Sequence, residues 1–239
     1  MMHHLARLLR SLAAVALVFV TVAPRAEAQI RGTPMGNPDA RWWFSGGANA
    51  AILSDINDGA TRSIWKFGSD PLVLLRGSIE RGLDDATTIG LAVSYGKVDV
   101  NLVPFVVAEG ATPATPPTDT LPTSCQQGCS AQTDMWTAMA QFRSGGGPGF
   151  HTFFEANGGV TSFRNTRTRS DRAAIGKSSG GLDLSGTVGG GFGYTMSQGF
   201  AITLVQDFGI GYHSKTGLPE GIGRSWRIRN TRAALRFAF

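Results

Sequence analysis

From Trp42 to the final Phe239, apolar and polar residues alternate in runs of eight to fifteen, separated by segments rich in glycine, proline and charge. Alternation at period two marks strands, because successive side chains leave a strand on opposite faces. Eight such runs are predicted: Trp42–Leu53, Leu72–Leu83, Thr88–Gly96, Trp136–Arg143, Phe150–Phe163, Leu182–Met196, Phe200–His213 and Trp226–Phe239. The run from Phe200 is typical. Phe200, Ile202, Leu204, Phe208, Ile210 and Tyr212 share one face, opposite Thr203, Asp207, Gly209 and His213.

The connections alternate in length. Asp84-Asp85-Ala86, Ser144–Gly149 and Ser197-Gln198-Gly199 are short, whereas 54–70, 99–133, 164–181 and 214–225 are long. An even number of antiparallel strands with short turns at one end and long loops at the other is the topology of a barrel in the outer membrane of a Gram-negative cell. The fold class is therefore all-β, an eight-stranded antiparallel up-and-down transmembrane β-barrel over residues 41–239, in the outer membrane. Two aromatic girdles are expected: Trp42, Phe44, Phe142, Phe150, Tyr194, Phe200, Phe237 and Phe239 near the short-turn end, and Tyr95, Trp136 and Tyr212 near the loop end.

The last run carries a specific resemblance. Ala233, Leu235, Phe237 and Phe239 share one face, and this ending is similar to the carboxy-terminal assembly signal of Gram-negative outer-membrane barrels; Leu235, Phe237 and Phe239 are the residues matched most directly. With eight strands, the chain resembles the small OmpA/OmpX/OmpW-like barrels. That resemblance implies insertion by the barrel assembly machinery, and contact with the lipid bilayer and lipopolysaccharide.

Residues 1–28 have the form of a secretory signal peptide: His3, His4, Arg7 and Arg10, an apolar run from Leu12 to Ala23, and Ala26-Glu27-Ala28 as the cleavage site. Residues 29–40 read as a short periplasmic lead-in. The leader holds three of the 22 basic and one of the 17 acidic residues, so the formal charge falls from +5 to +3 on its removal. That balance does not point to nucleic acid.

Arg76, Glu80, Gln141, Arg143, Glu155, Asp207, Arg232 and Arg236 fall on polar faces and should point into the lumen. An eight-stranded barrel is just wide enough for its side chains to fill. The expected result is a plug of ion pairs, with Asp207 and Arg232 at similar height on neighbouring strands. Cys125 and Cys129, in the second external loop of an exported chain, are expected to form a disulfide. No metal site or cofactor is expected.

Some small outer-membrane barrels are lipid A enzymes, and the deacylase type uses a His-x-Ser pair with a carboxylate. Here His213 and Ser214 are adjacent, so their side chains would point to opposite faces and the match fails. His213 then reads as a rim residue and His151 as structural. Arg164, Arg167 and Arg169 in the third loop, with Arg227 and Arg229 at the start of the last strand, are candidate contacts for lipopolysaccharide phosphate. The function expected is that of a non-enzymatic barrel acting structurally or through external loops on an unknown extracellular partner. Binding or passage of a small hydrophobic ligand is the alternative, and a lipid A-modifying enzyme a further one.

Overall fold

A computed structural model describes residues 42–84, 86–105, 121–175, 181–197, 199–213, 218 and 222–238. The leader and lead-in expected over residues 1–40, and the terminal Phe239, lie outside these. Ten strands follow in order: β1 (Trp42–Leu53), β2 (Ile56–Asp58), β3 (Ser63–Lys66), β4 (Leu72–Gly82), β5 (Thr87–Pro104), β6 (Cys129–Ser144), β7 (Gly149–Thr168), β8 (Leu182–Ser197), β9 (Phe200–Tyr212) and β10 (Ser225–Ala238). Eight of them, all but β2 and β3, close into an antiparallel ring. Each pairs with its neighbour in sequence, and β1 returns to β10, with Trp43 opposite Ala238 and Leu53 opposite Ile228. The structure is a closed eight-stranded antiparallel β-barrel.

Alternation is inverted relative to a protein in water. Val73, Leu75, Leu91, Leu184, Ile210 and Phe208 face out and are each more than half exposed, while Glu80, Glu155 and Asp207 face in and are fully buried. An apolar wall around a polar interior is the arrangement required when hydrocarbon, not water, is the outer solvent. Trp42, Phe44, Phe142, Phe150, Tyr194 and Phe237 form the exposed aromatic belt at the short-turn end. Tyr95 and Trp136 pack together at the other end, their ring centroids 4.3 Å apart, and Tyr212 stands exposed farther round the wall. The short turns have the expected chemistry: Asp84 accepts the backbone N–H groups of Ala86 and Thr87 at 2.8 and 2.6 Å. In the turn after β6, Gly145 and Gly149 sit at φ +105° and +67°, where a Cβ is strained.

The barrel is not level. A spanning strand needs about 9–11 residues, yet β5, β6 and β7 run 18, 16 and 20 residues. They pair with one another as far as Leu102 opposite Cys129 and Ala131 opposite Thr168, past the pair of Ser162 and Leu182 where β8 begins, so these three rise as a wall on the loop side. β4, with 11 residues, ends lower. The segment Ser54–Asp70, read above as a polar loop, fills that gap as the β2–β3 hairpin: β3 pairs with the upper part of β5, Ser63 opposite Pro104 and Lys66 opposite Asn101. Asn57-Asp58-Gly59 between Ile56 and Ile64 was the sequence signal for this turn. Asp58 closes it by accepting the N–H groups of Ala60 and Thr61 at 3.2 and 3.1 Å.

Candidate functional site

The lumen is filled at two levels. In the lower half Arg76, Glu80, Arg143, Glu155, Asp207, Arg232 and Arg236 all point inward. Glu155 on β7 is the hub. Its Oε2 accepts Arg143 Nη2 at 2.8 Å, and its Oε1 accepts Arg232 Nη2 and Asn157 Nδ2, the latter at 3.1 Å. Arg76 Nη2 stands 3.9 Å from the same carboxylate and donates to Gln141 Oε1 and Asn157 Oδ1. Nearer the short turns, Glu80 accepts Arg236 at 2.6 Å and the hydroxyls of Ser78 and Thr88 at 2.9 Å. Arg232 Nη1 lies 3.5 Å from Asp207 Oδ2, but both Asp207 oxygens are buried without a hydrogen bond among the described residues. Two inward aromatics missed in the sequence support the cluster: the Arg143 guanidinium lies 4.4 Å over Phe153, and that of Arg236 4.7 Å over Trp43.

The upper half carries a buried apolar cluster, which the sequence reading did not foresee. Trp65 and Phe67 from the hairpin region, Val98, Val100 and Leu102 from β5, Phe163 from β7, and Trp226 and Ile228 from β10 form one buried cluster inside the raised wall. Phe163 is its centre, 5.8 Å from Trp65, 5.7 Å from Phe67 and 6.1 Å from Trp226. Gly211 makes room for this packing, since a Cβ there would fall 2.1 Å from the Trp226 ring. Alternation places Trp226 and Ile228 inward, but only the height of the wall makes their environment apolar. Cys125, joined to Cys129 by a disulfide, is buried in the same cluster.

His213 is not a rim residue. It is 4% exposed and lies between two carboxylates, with Nδ1 2.7 Å from Asp183 and Nε2 3.2 Å from Asp58 of the hairpin. It follows Tyr212 of the outer girdle and so stands outside the spanning segments. Burial opposes its charge, but the two hydrogen bonds and the adjacent carboxylates outweigh that and push its pKa up to about 9. Ser214 lies outside the described residues. His151, at the other end, sets Nδ1 3.1 Å from the Gly149 carbonyl oxygen.

The five candidate arginines separate into two groups. Arg227 and Arg229 face outward on β10, with Arg229 5.9 Å over the Phe208 ring. Arg164, Arg167 and Arg169 lie on β7 and just beyond it, three strands away around the ring. Strict alternation would send Arg164 and Arg167 to opposite faces. A bulge prevents this: the β6–β7 register shifts between Gln132 and Asp134, and Asn165 adopts φ +53°. Both arginines are exposed on the outer surface. There, above Tyr95 and Trp136, a groove of about 660 Å³ is lined by Lys97, Gln132, Asp134, Asn165, Arg167, Arg169 and Arg172. A second groove of about 370 Å³, lined by Val93, Trp136, Ala138, Val160, Leu182 and Arg164, runs down the lipid-facing wall.

Fold and surface together define a small eight-stranded barrel of the outer-membrane type. No family model matches the chain, and no curated protein matches it in sequence. Among solved structures it is similar to Neisserial surface protein A, at 12% identity and TM-score 0.47, over 83% of this chain and 97% of that one. It is also similar to the N-terminal β-barrel domain of Pseudomonas aeruginosa OprF, at 14% identity and TM-score 0.43, over 84% and 98%. The Yersinia pestis attachment invasion locus protein Ail, solved with the heparin analogue sucrose octasulfate, matches at 9% identity and TM-score 0.40, over 84% and 99%.

Proposed function

We propose that this protein is a non-enzymatic barrel of the outer membrane that acts through its external surface rather than by passage through its lumen. The observation that carries this reading is the doubly filled interior. Four arginines and three carboxylates occupy the lower lumen, and an aromatic cluster occupies the upper lumen. An ion would have to displace a charged network and then a packed apolar layer, each costly to disturb. His213, enclosed by Asp58 and Asp183, holds the hairpin rather than facing a substrate. The ordered chemistry that remains is on the outside of the raised wall, at the level of lipid headgroups and above.

The test is conductance of the purified protein in planar bilayers. No stable conductance steps are expected above the lipid background. Reproducible steps that scale with salt would overturn the reading in favour of transport.

A further inference from the structure

The two grooves on the outer face of β5, β6 and β7 are stacked, apolar below and cationic above. The contacting pair of Tyr95 and Trp136 marks the interface between them, as aromatic residues do where hydrocarbon meets headgroups. Lys97 stands two residues above Tyr95 on the same face and opposite Asp134. The upper groove thus opens where lipid phosphates lie.

Its charge is in excess and unspent. Five cations, Lys97, Arg164, Arg167, Arg169 and Arg172, meet three carboxylates, Asp99, Asp134 and Asp171, and each carboxylate is already engaged. Arg169 is ion-paired with Asp99. Asp134 accepts Asn165 Nδ2 at 2.8 Å and the Tyr95 hydroxyl at 3.3 Å. Asp171 accepts the Thr168 hydroxyl and the Ala173 N–H. Among the described residues, Lys97, Arg164, Arg167 and Arg172 have no carboxylate partner in an ion pair. Arg164 joins the two grooves: it lines the lower one, and its Nε donates to Ser162 Oγ at 3.2 Å, leaving both terminal nitrogens to bond elsewhere.

We infer that this wall binds one phosphorylated glycolipid of the outer leaflet, its phosphates held by Arg164, Arg167, Arg172 and Lys97 and an acyl chain lying along Trp136, Val160 and Leu182. Guanidinium groups suit phosphate because they donate in pairs to two of its oxygens. The lower groove supplies what a free anion would not use, an apolar track continuous with the headgroup site. The inference rests on the proposed outward orientation only for the leaflet it names. Binding is measured in detergent, where orientation and conductance play no part, so failure here would leave the closed-barrel reading intact.

The experiment titrates purified protein in zwitterionic detergent with lipid A carrying both phosphates, with the same lipid after phosphate removal, and with inorganic phosphate, reading the melting temperature. The expected result is a saturable rise with the phosphorylated lipid, absent with the dephosphorylated lipid and absent with millimolar inorganic phosphate. Arg164→Gln with Arg167→Gln should weaken binding at least tenfold, as loss of charge-assisted hydrogen bonds implies. Arg227→Gln with Arg229→Gln, the same charge change on another part of the wall, should leave it unchanged. Ala138→Trp, an outward position that fills the lower groove without touching the interior, should also weaken lipid binding. Equal binding of the dephosphorylated lipid, an equal shift with inorganic phosphate, or equal weakening by the Arg227 and Arg229 pair would overturn the proposal. The last would mean diffuse charge rather than a site.

Discussion

Single residues in this interior are unequal even where their charges match. Glu155 faces Arg76, Arg143 and Arg232 at once, so Glu155→Gln leaves three buried guanidinium groups with little to oppose them. Breaking a buried network from one side costs about 3–5 kcal/mol. Asp207 accepts no hydrogen bond among the described residues and meets Arg232 only at 3.5 Å, so Asp207→Asn should cost about 1 kcal/mol or less. Urea unfolding in detergent micelles compares the two, and equal losses would refute the ranking. In the upper layer, Phe163 touches three aromatic rings, and Phe163→Ala should cost about 3–5 kcal/mol. A loss below about 1 kcal/mol would mean that the cluster is loosely packed. The residue types of the lower plug were visible as arginine and carboxylate on polar faces. Their ranking was not, because it depends on which side chains from β4, β6, β7 and β10 converge on one carboxylate.

Among elements, the hairpin β2–β3 is held partly by hydrogen-bonded strand pairing with β5 and partly by the Asp58–His213–Asp183 bridge. The pH dependence of that bridge follows from the direction of each shift. The His213 pKa is raised from its ordinary 6.5 to about 9, so its contribution is complete below 6.5 and is lost as pH rises through about 9. Burial opposes charge on Asp58, but His213 and Thr61 outweigh it and hold its pKa below the ordinary 3.8; its contribution is present above 3.8 and lost as pH falls through the lowered value. The bridge is therefore complete between about 3.8 and 6.5. Hydrogen-exchange protection of residues 56–66 should fall between pH 6.5 and 9, by on the order of 3 kcal/mol in opening free energy, and His213→Gln should remove that dependence. Unchanged wild-type protection across this range would show that strand pairing alone holds the hairpin. The disulfide acts more locally. It closes a loop of only a few residues, so reduction should leave the barrel's melting temperature within a few degrees. Thiol titration should find two reactive groups only after reductant, and thiols reactive without it would contradict the bond.

At the scale of the whole molecule, the two filled layers are in series, and breaching one should leave the other closed. Phe163→Ala with Trp226→Ala should therefore still give no conductance in planar bilayers. Steps in that variant would show that the charged layer alone does not seal the lumen. The barrel itself was legible in the sequence: period two put Leu204, Phe208 and Ile210 on one face and Thr203, Asp207 and Gly209 on the other, and the alternation of short and long connections dictated antiparallel neighbours. These features are local, set by side chains that leave a strand on opposite sides and by what glycine and aspartate do in turns. Three features were decided only by tertiary structure. The height of β5–β7 surrounds Trp226 and Phe163 with apolar neighbours. Closure of the ring brings Asp58 and His213 together across 155 positions of chain. The bulge at Asn165 turns Arg164 and Arg167 to one face. Each depends on how a strand pairs or packs with others, and a one-residue shift in register reverses a side chain's face, so alternation along a single strand could not determine them.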